Sequence, residues 1–356
     1  MIRRAGLARL LRFLVFGLLM VMAIVSCQAQ VDRGRDSPLP ISSSEPTDCR
    51  TIPHVMGKTR ICGQPQRIAI LGPYLLETLL ALKVQPVGFA DHIGFHRGDY
   101  NDPSQQIPYL GDQISQPLVN MGIAYNPSIE AILKVKPDLI LGTATNNLAH
   151  YETLSKIAPT LLLKYDEPDV NLRTIAKAVN RSEQAQQLLL ETRQKIATAR
   201  NAFAPIVAKY PKLLLLSSPQ LREIYLGYSS HGLCSTLLED LGFQLIAPAG
   251  FRRPKQPVPV PISLEALPQL DHADLIVLLG HNFSDLKEFQ NTDSFESYQL
   301  NPLKQAWARN GITQALNASQ AGRVYFIPAY LCLGLPGPIG TDLYLDRLKQ
   351  QLLTSQ

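Results

Sequence analysis

Tyrosine, histidine, asparagine and arginine residues follow several short apolar runs that we predict to be strands. In doubly wound sheets, ligands bind outside the carboxyl ends of the strands, so these residues mark a candidate ligand site. Arginine binds carboxylates through bidentate, charge-assisted hydrogen bonds, and aromatic rings supply flat apolar surface. We therefore expect a small, negatively charged ligand, with arginines as anionic contacts and tyrosines as walls. The candidate residues are Tyr74, His92, Arg97, Asn146, Tyr228, His231, Arg252, Arg253, His281 and Tyr330.

The sequence carries none of the common signatures of catalysis. It has no G-x-G-x-x-G, P-loop or G-x-S-x-G motif, and no third partner completes a triad with Ser229 and His231. The histidines are dispersed, and Gly94 interrupts the pair His92 and His96, which disfavours a bare-metal site. We expect no catalytic residue and no cofactor, and an exported enzyme on two Rossmann-like lobes is the second alternative.

Two similar α/β units are expected to position these residues. Short apolar runs alternate with helical patterns, as at 66–72 and 75–83, and the same order returns after residue 212. The segment Ser128-Ile129-Glu130-Ala131 corresponds to Ser263-Leu264-Glu265-Ala266. The fold class is α/β, with two Rossmann-like lobes whose mainly parallel sheets face each other across a cleft.

A long helical segment joins the two units. Residues 170–202 contain no Gly or Pro and place apolar residues at helical spacing, although Asn180-Arg181-Ser182 could divide the segment into two helices. Such a connector favours modest lobe motion. We predict an N-terminal lobe over 49–169, a connecting helix over 170–203 and a C-terminal lobe over 204–356.

The N-terminus has the pattern of an export signal. Four arginines precede the apolar run 13–25, which is short for a membrane span, and Ser26-Cys27 follows. This resembles a bacterial lipobox, which implies a signal peptide over 1–27, lipid on Cys27 and a tether over 28–48. An ordinary signal peptide and an uncleaved anchor are the alternatives. The four arginines lie within the first 27 residues, which contain no Asp or Glu. Without this segment the rest of the chain is nearly neutral, so it offers no electrostatic case for nucleic-acid binding.

Four further cysteines suit a compartment outside the cytoplasm. Cys49 and Cys62 flank a possible hairpin that turns near Met56-Gly57, so we predict a disulfide between them. Cys234 and Cys332 would pair only if the fold brings them together. No C-x-x-C spacing supports a four-cysteine metal site.

Several stretches, taken in order, resemble a known family. They are Pro65-Gln66-Arg67-Ile68-Ala69-Ile70, Ala81-Leu82-Lys83-Val84-Gln85-Pro86-Val87-Gly88, Pro127-Ser128-Ile129-Glu130, Leu133-Lys134-Val135-Lys136-Pro137-Asp138-Leu139-Ile140, Ile262-Ser263-Leu264-Glu265 and Gly322-Arg323-Val324-Tyr325. Over about residues 49–353 the chain is similar to the periplasmic binding proteins of ferric-siderophore and cobalamin importers, the class III type with one long interdomain helix.

The resemblance implies a monomeric substrate-binding lipoprotein on the periplasmic side of the bacterial cytoplasmic membrane. It would capture a ferric siderophore or a ferric citrate-like chelate and deliver it to an ABC permease dimer with its cytoplasmic ATPase. A cobalamin or haem carrier of the same fold is the first alternative.

The resemblance also implies that Glu130 and Glu265, one on each lobe, dock against arginines of the permease. Two exposed carboxylates suit a symmetric partner with two cationic pockets. The alternative is a helix-capping role, because a first-turn glutamate stabilises the helix dipole.

Overall fold

The computed structural model describes residues 48–94, 96–228, 232–252, 258–282 and 291–353. The predictions for the signal peptide, for most of the tether and for Cys27, His231 and Arg253 lie outside these ranges.

A disulfide-linked hairpin opens the described chain. Strands β1 (Cys49–His54) and β2 (Gly57–Cys62) pair antiparallel, and Cys49 is bonded to Cys62. The tip contacts the adjoining lobe, where the Val55 amide donates to the Leu162 carbonyl at 3.1 Å.

The N-terminal lobe is built on a six-stranded sheet. Its strands are β3 (Ile68–Leu71), β4 (Gly88–Asp91), β5 (Val119–Ile123), β6 (Asn126–Pro127), β7 (Leu139–Thr143) and β8 (Thr160–Leu163). They lie in the order β6-β5-β4-β3-β7-β8, and all pairs are parallel except β5 with β6. Every residue of β3, β4, β7 and β8 is buried, as apolar strands covered on both faces require.

Short helices connect these strands. They are α1 (Pro73–Ala81), α2 (Pro103–Gln106), α3 (Ile129–Val135), α4 (Ala144–Asn147) and α5 (Tyr151–Ile157), with 3₁₀ turns at Gly111–Gln113 and Leu148–His150.

Two helices form the connector, α6 (Pro168–Ala178) and α7 (Ser182–Lys209). Asn180 separates them with a left-handed φ of 55°, a conformation that asparagine tolerates better than most residues. At about 1.5 Å per residue, the 28 residues of α7 span about 42 Å. The connector extends past the predicted limit at 203, and the division into lobes at 169 and 204 remains a proposal.

The C-terminal lobe repeats the plan with an antiparallel edge. Its strands are β9 (Lys212–Ser218), β10 (Ile224–Leu226), β11 (Gln244–Leu245), β12 (Val260–Ile262), β13 (Leu275–Gly280) and β14 (Val324–Pro328). The order is β12-β10-β9-β13-β14, and β11 also pairs with β9. The pairs of β10 with β9 and with β12 are antiparallel, while the others are parallel.

The helices of this lobe are α8 (Leu233–Asp240), α9 (Thr292–Arg309), α10 (Gly311–Ala315), α11 (Asn317–Gln320) and α12 (Pro338–Leu352), with 3₁₀ segments at Leu264–Leu270 and Ala329–Leu331. A second disulfide joins Cys234, on α8, to Cys332, which follows β14. The fold thus brings together the two cysteines whose pairing the sequence leaves open.

The apolar core continues across the seam between the lobes. Phe295, Tyr330 and Leu335 of the C-terminal lobe belong to the same buried cluster as Leu75 and Leu79 of α1. The described residues all belong to one compact unit. None of the helices described is both long and apolar enough to span a membrane.

Candidate functional site

A cleft of about 630 Å³ lies where the two sheets present the carboxyl ends of their strands. His92 follows β4, Thr143 ends β7, His281 follows β13 and Tyr330 follows β14. This is the location that the strand-end rule predicts for a ligand in open α/β sheets. The lining residues come from both lobes: His92, Tyr125, Thr143, Thr145, Asn146, Tyr165, Ser217, Tyr225, Pro259, His281, Ala329, Tyr330, Leu333 and Gly334.

On the N-terminal side, a buried asparagine orders the loops that reach the cleft. Asn147 accepts a hydrogen bond from the Thr143 amide at 3.0 Å and donates one to the Ala124 carbonyl at 2.6 Å. The second bond holds the residue next to Tyr125. The Thr143 hydroxyl caps α4 by accepting from the Asn146 amide at 3.3 Å. Tyr125, Thr143 and Asn146 are therefore placed by side chains of one short turn.

Tyr165 bridges the lobes inside the cleft. Its hydroxyl donates to the carbonyl of Leu333 in the other lobe. Behind it, Tyr74 packs edge-on at 5.6 Å between ring centroids, and Tyr74 is buried and hydrogen-bonded with Asn171. The structure thus places Tyr74, a predicted wall of the site, behind the wall, where it supports Tyr165.

Tyr330 lies at the floor of the cleft and packs within a cluster of aromatic rings. It stacks on Tyr109 of the N-terminal lobe at 5.9 Å and meets Phe295 edge-on at 5.1 Å. The Tyr109 hydroxyl donates to Glu296 at 3.0 Å, and Glu296 also pairs with Arg347 at 2.6 Å. The Tyr330 hydroxyl has no hydrogen-bond partner among the described residues. It is therefore a buried donor that a ligand or water can satisfy.

The described lining of the cleft carries no formal charge. Desolvation lowers the pKa of His92, although that residue is exposed, and burial also lowers the pKa of His281 against the opposing effect of Glu223. Burial raises the pKa of Tyr165 and Tyr330. The lining combines two imidazoles that are neutral near neutral pH with phenol rings, an amide, hydroxyls and apolar side chains, and it includes no Lys, Arg, Asp or Glu.

A buried carboxyl lies next to this lining. Asp91 ends β4, and its Oδ1 accepts from the His92 amide at 2.6 Å while Oδ2 has no partner among the described residues. Burial raises the pKa of Asp91 to about 7. Within the part of the chain that the structure covers, no group of three or more His, Cys, Asp or Glu residues lies in an arrangement that could hold a metal ion.

The predicted arginine contacts do not join the described lining. Arg97 is exposed on a loop that folds against β5, where the Tyr100 amide donates to the Leu118 carbonyl at 2.8 Å and Asp99 accepts from the Asn120 amide at 3.0 Å. These bonds hold the loop against β5. Arg252 is also exposed and absent from the lining.

Tyr228 is a packing residue in this structure. It is only 2% exposed, packs edge-on against Phe251 at 5.4 Å and donates its hydroxyl to the Val258 carbonyl. The structure describes eight of the predicted ligand residues. Four of these eight lie together in the cleft: His92, Asn146, His281 and Tyr330.

Glu130 and Glu265 both lie exposed in the first turn of a helical segment, one on each lobe. The Ser128 hydroxyl accepts from the Ala131 amide at 3.2 Å and caps α3, whereas Ser263 makes no such bond. The glutamates themselves remain available on the surface.

Tyr125 and Tyr165 line the cleft but are not among the residues that the strand-end rule selects from the sequence. Tyr165 follows β8, whose Thr-Leu-Leu-Leu run we did not identify as a strand. Applying the strand-end rule to that run would have found Tyr165. Tyr125 lies on the tight turn between β5 and β6, two strands that no apolar run in the sequence predicts.

A second cavity of about 660 Å³ shares Tyr165 and Leu333 with the cleft. Helix residues such as Leu189, Arg193 and Thr341 form much of its lining, whereas the carboxyl ends of strands from both sheets converge on the cleft. We assign the candidate site to the cleft for that reason.

Comparison with known proteins identifies the family. A family model described as periplasmic binding protein matches residues 68–331. The chain belongs to the periplasmic binding protein family. A solved structure of similar fold is Staphylococcus aureus SirA complexed with staphyloferrin B, with a TM-score of 0.65, 22% identity and coverage of 85% of this chain and 98% of SirA. The fold is that of a class III periplasmic binding protein, with two Rossmann-like lobes joined by a long helix.

Two curated relatives from Bacillus subtilis (strain 168) extend the comparison. The Fe(3+)-citrate-binding protein YfmC is 34% identical over 158 residues, which are 43% of this chain and 47% of YfmC, so that match spans about half of the relative. The Probable siderophore-binding lipoprotein YfiY is 25% identical over 354 residues, covering 95% of this chain and 97% of YfiY.

Proposed function

We propose that this protein is the substrate-binding component of an ABC importer and captures a ferric siderophore or a ferric citrate-like chelate. The observation that carries the proposal is the cleft of about 630 Å³, which both sheets build together at their carboxyl strand ends. Its size falls within the usual range for small-ligand pockets, about 300–1,000 Å³. Family membership and the ligands in the names of YfmC and YfiY support the iron-chelate assignment.

The chemistry of the lining suits a chelate through hydrogen bonds and ring contacts. A ferric chelate presents oxygen atoms and flat or apolar arms around its metal. The Tyr330 hydroxyl, which has no partner among the described residues, can donate to those oxygens, and neutral His92 and His281 can donate as well. The aromatic faces cover the apolar arms. Binding, and not catalysis, is the activity that we assign to this cleft.

Delivery requires an anchor and a docking surface. We assign the lipid anchor to Cys27, which would hold the protein at the outer face of the cytoplasmic membrane as a monomer. We assign docking to Glu130 and Glu265, because each lobe exposes one of them. Their arginine partners would lie on the permease dimer, whose ATPase is cytoplasmic.

Isothermal titration calorimetry of residues 28–356 tests the proposed ligand class. The titrants are ferric citrate, a ferric hydroxamate and a ferric catecholate, each paired with its iron-free chelator, together with cobalamin and haem. Calorimetry is preferable to tryptophan fluorescence because Trp307 is buried in the C-terminal lobe, where it donates to Ser319 at 3.1 Å.

We expect saturable binding of one ferric chelate. Its iron-free form should bind more weakly. Binding of cobalamin or haem alone would make the protein a carrier of the other ligand class. Absence of heat with every titrant would contradict the assignment.

A further inference from the structure

A buried glutamate joins the two lobes behind the cleft. Glu77 lies on α1 of the N-terminal lobe and is 0% exposed. Its Oε2 accepts from the Gly337 amide at 2.9 Å, and its Oε1 accepts from the Gly340 amide at 2.6 Å. Both amides lie at the start of α12 in the C-terminal lobe. One carboxyl therefore satisfies two donors that no carbonyl of their own helix could reach.

The start of α12 depends on this contact from the other lobe. Its N-cap residue, Gly337, has no side chain to accept the free amides, and Pro338 in the first turn has no amide to donate. The positive end of a helix favours an acceptor with negative charge. Glu77 thus supplies from the N-terminal lobe the cap that α12 lacks in its own sequence.

The sequence leaves room for the carboxyl. A Cβ atom added at Gly337 would lie 3.1 Å from both oxygens of Glu77, tighter than an ordinary contact. A Cβ atom at Gly340 would lie 1.6 Å from the Leu335 carbonyl oxygen, which no side chain could occupy. The two glycines allow α12 to begin directly against α1.

The segment that leads into α12 is also a wall of the cleft. Tyr330, Leu333 and Gly334 line the cleft only a few residues before Gly337. They face His92 and Tyr165 of the other lobe. A shift of the start of α12 relative to α1 would therefore change the distance between opposing cleft walls.

We infer that Glu77 is a positioning residue that fixes the start of α12 against the N-terminal lobe and so sets the width of the cleft. It does not contact the ligand. A local capping role alone would stabilise the first turn of α12 without controlling the arrangement of the lobes, and the two roles make different predictions.

Three variants separate these roles. Glu77→Gln keeps the size of the side chain but leaves only one acceptor oxygen. The two amides of Gly337 and Gly340 each need an acceptor. Gly337→Ala pushes on the same carboxyl from the opposite lobe. Thr341→Val is the matched control, because the Thr341 hydroxyl donates to the Gly337 carbonyl at 2.8 Å within α12 and does not cross the seam.

The readout is the distance between spin labels placed at the exposed positions Lys156 and Arg309, one on each lobe, measured by double electron–electron resonance without ligand. Amide hydrogen exchange at Gly337 and Gly340 is followed in parallel at about pH 8, where the Glu77 carboxyl is ionised and both of its oxygens accept. For Glu77→Gln, exchange at one of the two amides should rise at least about tenfold, because a buried donor loses its partner.

We expect Glu77→Gln and Gly337→Ala each to displace or broaden the distance distribution. Thr341→Val should leave it unchanged. Unchanged distributions in both variants would overturn the inference, even if exchange at Gly337 or Gly340 rises. If Glu77→Gln does not fold, Gly337→Ala decides by the same criterion. The measurement uses no ligand, so a failure of the iron-chelate assignment would leave it unaffected.

Discussion

The two lobes share a plan and repeated sequence segments but use them differently. Ser128-Ile129-Glu130 opens an α-helix with a side-chain cap, whereas Ser263-Leu264-Glu265 opens a 3₁₀ segment without one. The difference has a local cause, because Pro268 replaces the residue that corresponds to Leu133. Proline has no amide for an α-helical bond and disfavours the α conformation of the residue before it. One substitution thus changes the helix type while both glutamates remain exposed.

A second repeated segment shows the same divergence. Glu77 and Glu239 both follow leucines in the first helix of their lobe. Glu77 is fully buried at the seam and caps α12, whereas Glu239 is half-buried within its own lobe. A repeat in sequence therefore predicts the element on which a residue lies and does not predict its partner.

The largest expected effect is the loss of a disulfide, and the two lobes should differ in it. Cys234–Cys332 closes a loop of 98 residues and Cys49–Cys62 one of 13. In the chain-entropy treatment, a loop near 100 residues stabilises by about 4.7 kcal/mol and one near 15 residues by about 3 kcal/mol. The double variant Cys234→Ala/Cys332→Ala should therefore lose more free energy of unfolding than Cys49→Ala/Cys62→Ala. Guanidinium unfolding measures both, and an equal or reversed loss would contradict the comparison.

The next contrast concerns buried acids, which are concentrated in the N-terminal lobe. Burial raises the pKa of Glu77 from 4.5 to about 7 and that of Asp91 from 3.8 to about 7. Between pH 4.5 and 7 the folded protein keeps protons that the unfolded chain has released, so stability should fall as the pH rises through this window. Each group contributes at most about 3–4 kcal/mol.

Urea unfolding between pH 4.5 and 8 measures this slope. Asp91→Asn should flatten it, because the amide keeps an acceptor for the His92 amide and does not titrate. The matched control is Asp240→Asn in the C-terminal lobe, whose carboxyl is largely exposed and should contribute little. A slope of the opposite sign would show that the two carboxyls are ionised in the folded state throughout the window.

Charge reversal at Glu130 and Glu265 tests whether the α-helix and the 3₁₀ segment both serve in docking to the permease. Glu130→Arg and Glu265→Arg should each lower uptake of a radiolabelled ferric chelate by about tenfold or more, because like charges then meet at the permease. Chelate affinity in solution should stay unchanged. Glu152→Arg, an exposed acid on α5, is the control. Loss of uptake from only one of the two reversals would mean that one lobe alone docks.

The smallest expected effect separates the cleft from the surface arginines. Tyr225→Ala removes an aromatic wall and should weaken chelate binding about tenfold. Arg97→Ala, outside the lining, should change the affinity by less than about twofold, because exposed charges contribute little. Calorimetry with the same chelate measures both. A larger loss of affinity from Arg97→Ala would show that Arg97 contacts the chelate, as we predict from the sequence.

The sequence predicts the fold better than the site. Apolar runs predict β3, β4, β7, β9, β13 and β14, and the first three are buried throughout, as strands of a parallel sheet covered on both faces should be. The strand-end rule then predicts His92, Asn146, His281 and Tyr330 as cleft residues. It could not show that Tyr74 and Tyr228 are buried, since side-chain direction depends on packing. Nor could it show that the bonds of Tyr100 and Asp99 hold the Arg97 loop against β5.

The most direct test of the account is anomalous diffraction at the iron edge from crystals of the mature protein grown with the ferric chelate that binds in calorimetry. The account predicts one iron site in the cleft, between His92 and Tyr165 on one side and Tyr225 and His281 on the other. An iron peak in the second cavity beside Leu189 and Arg193, or no ordered iron at full saturation, would contradict it.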